Sequence, residues 1–99
     1  MKVVISHTKV KADQLPAIQA AGKRVLEALE REQPQGILYA VCPLPDGVSF
    51  VTLVAIDDGV DNPLVALPEY RAFTENVKTW LAEPPTAEQL TAAISYRSF

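Results

Sequence analysis

The chain has 99 residues, 48% of them hydrophobic, and a formal net charge of −3. A chain of this length forms one domain, residues 1–99, and buries roughly 60–70% of its unfolded surface, so it folds alone with little margin. Mild acidity and scattered Lys and Arg argue against nucleic acid, which is normally held by a clustered basic patch.

The start, MKVVISHTKVKAD, has too short an apolar run for a secretory signal, and no stretch approaches the ~20 apolar residues of a membrane span. The single cysteine, Cys42, cannot form an intramolecular disulfide. The expectation is a soluble cytoplasmic protein with no membrane partner.

The first strand is expected over Val3 to Val10, where VVISHTKV is rich in β-branched residues. Asp13 then offers a helix N-cap, with Pro16 in the first turn. Leu15, Ile18, Gly22, Val25, Leu26 and Leu29 form a helical stripe, predicting a helix over about residues 14–32. Gly22 inside it reads as a point of close packing. Pro34 and Gly36 end the helix.

Ile37 to Cys42 is a second strand with almost no polar residue, which predicts cover on both of its faces. Asp46-Gly47 marks a turn, and Val48 to Ile56 is a third strand, antiparallel to the second. Asn62 and Pro63 suit a helix start, but Pro68 disfavours helical geometry at Leu67. Two pieces are therefore expected, one short turn and then a long helix whose stripe is Tyr70, Phe73, Val77, Trp80 and Leu81. EPP at Glu83 to Pro85 ends that helix, and a last strand is expected over Thr91 to Phe99.

The order β-α-β-β-α-β is the ferredoxin-like, α+β arrangement: a four-stranded antiparallel sheet with two helices on one face. The second and third strands do not alternate polar and apolar residues as a solvated face would. An uncovered apolar sheet face marks an interface, and the simplest cover is a second copy packed sheet to sheet.

With those elements in place, the chain resembles the antibiotic biosynthesis monooxygenase-like domains of the dimeric α+β barrel superfamily. The resemblance covers nearly the whole chain by element order and length. Its most specific part is DNPLVALPEYRAF: a short helical turn at Pro63 to Leu67, a proline joint at Pro68, and the aromatic start Tyr70 and Phe73. It implies a homodimer and a cavity between sheet and helices for a small ligand, an aromatic one among the options. It further implies oxidation of an electron-rich substrate by dioxygen with no cofactor and no metal. Related non-enzymatic dimers supply the alternative, a ligand-binding or stress-related protein without catalysis.

The candidate site residues follow. His7 is the only side chain with an unperturbed pKa near neutrality, and with Tyr39 it is a candidate catalytic polar group. The alternative for His7 is a polar strand residue at a sheet end or dimer interface. Phe50, Tyr70, Phe73, Trp80 and Tyr96 are candidate ligand-binding residues, or plain core. Cys42 reads as a small apolar filler in a buried strand, since a reactive thiol needs a cationic, partly open setting. Asp57, Asp58 and Asp61 read as turn and capping residues rather than a calcium loop, whose spacing they do not meet.

Overall fold

A computed structural model of the chain describes residues 1–91. Strand β1 runs Lys2–Lys9, helix α1 Leu15–Glu32, strand β2 Ile37–Pro43, strand β3 Ser49–Ile56, helix α2 Pro68–Trp80 and strand β4 Thr86–Thr91. Two 3-10 turns, Ala12–Gln14 and Pro63–Ala66, precede the helices. The sheet order is β2-β3-β1-β4, with every neighbouring pair antiparallel. This is the expected ferredoxin-like α+β fold.

The register divides the sheet into two faces. Residues directly opposed across an antiparallel ladder share a face, and faces alternate along each strand. Val54 and Ile56 pack in the core with Ala28, Leu64 and Leu67. Their partners Val4, Tyr39 and Ile37 lie on that helix-covered side. The opposite face therefore carries Val3, Ile5, Leu38, Ala40, Val51, Leu53, Ala55 and Leu90, with His7 and Cys42 toward one end. No helix of the described residues covers this face.

Helix α1 buries Ile18, Ala21, Val25 and Ala28. That stripe is rotated from the expected one. Leu26 is 51% exposed, because Ala21 and Ala28 present the flatter surface for close approach of neighbouring elements. Nothing lies within 4 Å of a Cβ placed at Gly22, so this glycine is not a packing point. Asp13 does not cap α1 either: it sits within the 3-10 turn, and Gln14 takes the N-cap position without a side-chain hydrogen bond.

Strand β2 is an edge strand, so it is less covered than its composition predicts. Leu38 and Val41 are exposed, as is Cys42, which is therefore not a buried filler. The β2–β3 turn behaves as expected. Gly47 adopts φ 77°, and the Asp46 carboxylate accepts hydrogen bonds from the Val48 and Ser49 amides and from the Ser49 hydroxyl.

The proline joint forms as the sequence requires. Asn62 Oδ1 accepts from the Leu64 amide at 3.0 Å, Pro63 opens the short turn, and Leu67 is extended at φ −87°, ψ 120° before Pro68 opens α2. Helix α2 ends at Trp80, earlier than its expected stop at EPP, because the chain turns extended to meet β1. Val10 bridges to Leu81, the Lys11 amide donates to the Trp80 carbonyl at 2.8 Å, and the Ala82 amide donates to the Lys9 carbonyl at 2.7 Å.

Strand β4 also begins earlier than expected, at Thr86. TAEQLT has modest strand propensity, but the free edge of β1 supplies a complete ladder from His7 to Lys2. Residues 92–99, which hold most of the expected last strand together with Tyr96, lie outside the described residues.

Candidate functional site

The space between sheet and helices is unevenly filled. At one end Leu64 is fully buried, and Leu67, Val54, Ile56 and Ala28 close around it. Toward the other end the helix-facing positions are Ser6, Thr8, Thr52, Val41 and Phe50. None of these is buried. Above them, α2 buries no residue at all. Phe73, Val77 and Trp80 are half-buried along its stripe. The packed end thus gives way to partly exposed positions, hydroxyl-bearing on the sheet and aromatic on α2. Such a mixture of apolar surface and a few polar groups is what small-molecule sites present.

Tyr39 and Tyr70 stand at the boundary between these two ends, both packed against the core cluster. Tyr39 comes from β2 and Tyr70 from the first turn of α2. Burial pushes the Tyr39 phenol up to about 12, and the neighbouring Tyr70 adds to the effect. Burial raises the Tyr70 phenol as well. Desolvation disfavours the phenolate, so both hydroxyls stay protonated at neutral pH. They can donate a hydrogen bond to an oxyanion; they cannot serve as bases there.

The structure distributes the remaining candidates. Phe50 is on the helix-facing side of β3, opposite Thr8 and Pro43. Trp80 closes α2 at that same end of the molecule, where its carbonyl meets Lys11. Phe73 lies between Tyr70 and Trp80 on α2. His7 is elsewhere: it pairs with Val51 and Thr86 on the open face and is exposed. His7 and Tyr39 are therefore separated by the sheet within one chain. The alternation of sides along β1 and β2 follows from register, which sequence pattern alone does not fix. Tyr96 lies outside the described residues.

Sequence reasoning missed Ser6 and Thr52. They are directly opposed across β1 and β3, and a polar residue on each strand at the helix-facing parity was the available signal. The acidic group after β3 plays structural parts: Asp58 Oδ1 takes the N-terminal ammonium at 2.6 Å. Among the described residues no cluster of metal-ligating side chains occurs, and no helix is long and apolar enough to cross a membrane.

No family model matches this sequence, and no curated protein matches it. Solved structures do match over nearly the whole chain. A Nitrosomonas europaea protein provisionally classed as an antibiotic biosynthesis monooxygenase shares 23% identity, with a TM-score of 0.75 over 95% of this chain and 100% of its own. The Mycobacterium tuberculosis protein Rv0793 shares 17% identity, with a TM-score of 0.77 over 97% of this chain and 98% of its own. A structure described as an antibiotic biosynthesis monooxygenase gives a TM-score of 0.79 at 14% identity, over 95% of this chain and 100% of its own. At these identities the likeness establishes the fold: the chain has the ferredoxin-like fold of antibiotic biosynthesis monooxygenase structures. One further match is a Nitrosomonas europaea protein of unknown function.

Proposed function

We propose that this protein binds a small aromatic molecule between the sheet and helix α2, and that it acts as a homodimer. The observation that carries the reading is the Tyr39–Tyr70 pair beside a loosely filled layer floored by Ser6 and Thr52. An aromatic ring enters the apolar part, and the two protonated phenols face its oxygen substituent. The names of the matched structures supply a reaction class, monooxygenation, and the family resemblance of the sequence adds the expectation that no cofactor takes part. In that reaction a CH2 carbon of an electron-rich ring becomes a carbonyl. One oxygen atom of O2 enters the product, and the other leaves as water with the two hydrogens. The protein's part is orientation, exclusion of water, and hydrogen bonding from Tyr39 to the substrate oxyanion.

A second reading has its own support. His7, the one histidine, is separated from Tyr39 by the sheet, so among the described residues no histidine stands beside the phenol pair, which favours a binding protein with no catalysis.

Oxygen uptake with a panel of phenols, hydroquinones and anthrones, together with quenching of the single tryptophan, Trp80, separates the readings. Uptake that falls about tenfold in Tyr39→Phe, the value of one lost hydrogen bond, supports catalysis. Saturable quenching with no uptake leaves the binding protein. Absence of both removes the layer as a site.

A further inference from the structure

A separate cavity of about 200 Å³ lies at the end of the sheet, where β1 leaves it. Its walls come from three segments: the end of β1 with His7 and Lys9, the β2–β3 hairpin with Leu44 and Phe50, and the run before β4 with Glu83. Backbone hydrogen bonds tie these segments together. The Val10 amide donates to the Val48 carbonyl at 2.8 Å, the Leu44 amide to the Ser49 carbonyl at 2.9 Å, and the Ala82 amide to the Lys9 carbonyl at 2.7 Å. The concavity is thus held by the fold rather than by chance placement of side chains.

Its chemistry is two-signed. Lys9 and His7 stand on the β1 wall, and Glu83 stands on the wall formed by the run before β4. No hydrogen bond or ion pair engages the side chains of His7, Lys9 or Glu83 among the described residues. Asp46 acts on Lys9 only through space, and its own carboxylate is occupied by the hairpin turn. Leu44 and Phe50 add apolar surface. The volume lies below the roughly 300–1,000 Å³ of drug-sized sites, so the ligand has few heavy atoms.

We propose that this cavity binds a small zwitterion of the α-amino acid class. Its carboxylate meets the Lys9 ammonium and the His7 imidazole, its ammonium meets Glu83, and a short aliphatic side chain rests on Leu44 and Phe50. This cavity shares Thr8 and Phe50 with the far end of the layer between sheet and helices, but its charged groups, His7, Lys9 and Glu83, stand outside that layer, and it does not depend on the function proposed there. It gives His7 a role on the face where the structure puts it.

The test is a ¹H–¹⁵N titration of the full chain with three probes that dissect the zwitterion: L-valine, isovalerate, which lacks the amine, and isobutylamine, which lacks the carboxylate. Valine is expected to give saturable shifts at the Leu44, Ser49 and Glu83 amides, with each fragment about tenfold weaker for its lost charged hydrogen bond. Lys9→Met should bring valine down to the affinity of isobutylamine, and Glu83→Gln should bring it down to that of isovalerate. Both side chains are exposed, and the spectra of the free variants report directly that they remain folded. The proposal is overturned by isovalerate binding as well as valine to the unaltered protein. It is equally overturned by the absence of saturable shifts, or by shifts at Tyr39 and Tyr70 instead.

Discussion

Two glycines show how much one Cβ decides. Gly36 adopts φ 76°, and a Cβ there would meet Val60 Cγ2 at 3.0 Å while its carbonyl holds the Asp57 amide at 2.9 Å. Gly22 lies within α1 with open space around it. Gly36→Ala should therefore destabilise the protein by about 1–2 kcal/mol, the cost of a left-handed L-residue, and Gly22→Ala should stabilise it by about 0.4–1 kcal/mol. Thermal melts of the two variants should shift in opposite directions. Tyr39 offers a second test at this scale. Its folded value of about 12 stands above the ordinary 10, so its contribution is intact below pH 10. Between pH 10 and 12 the unfolded chain loses that proton more readily, and stability falls. Denaturant unfolding at rising pH should show this loss, and Tyr39→Phe should shrink it. Ultraviolet titration should find Tyr39 ionising after Tyr70, whose rise is smaller.

At the level of elements, strands β1 to β3 and the breaks were the most legible features. Proline fixes its own φ and restricts its predecessor whatever surrounds it, so the joint at Leu67 and Pro68 could be read directly. Helix facing was less legible. In α1 every third or fourth position is apolar on more than one side, and Leu26 competes with Ala21 and Ala28 in any hydropathy count. Close approach of the helix to its neighbours settles it in favour of the alanines. Leu26→Ala should accordingly change stability by less than about 0.5 kcal/mol. Leu64→Ala, at a fully buried residue of the short turn, should cost about 2–5 kcal/mol. Chemical denaturation midpoints give the comparison. Strand β4 was the least legible, since an exposed TAEQLT is made a strand by its partner β1 rather than by its own composition. The same limit applied to the site: residue types suggested Tyr39 and His7, but only the register assigns them to opposite sides of the sheet.

For the whole molecule, the main consequence is the apolar sheet face that no helix of the described residues covers. Val3, Ile5, Val51 and Leu53 run side by side on β1 and β3, the two central strands, where a polar pattern would be expected of a solvated surface. The proposed homodimer covers them with the same face of a second copy. Leu53→Glu sets two carboxylates against each other across such a two-fold axis. Light scattering after gel filtration should show a dimer for the unaltered chain and a monomer for Leu53→Glu. A monomer in both would remove the dimer. The variant should keep its far-ultraviolet circular dichroism, because Leu53 takes no part in the core beneath the helices.

The central position of β1 also has a consequence for biosynthesis. This strand leaves the ribosome before any of its partners, yet it must hydrogen-bond to residues 49–56 on one side and 86–91 on the other. At about 5–20 residues per second, roughly 4–16 s pass between the end of β1 and the end of β4. Both edges of KVVISHTK stay bare until residues 49–56 emerge, and one edge stays bare until residues 86–91 follow, so this nascent strand is exposed to mispairing for much of synthesis.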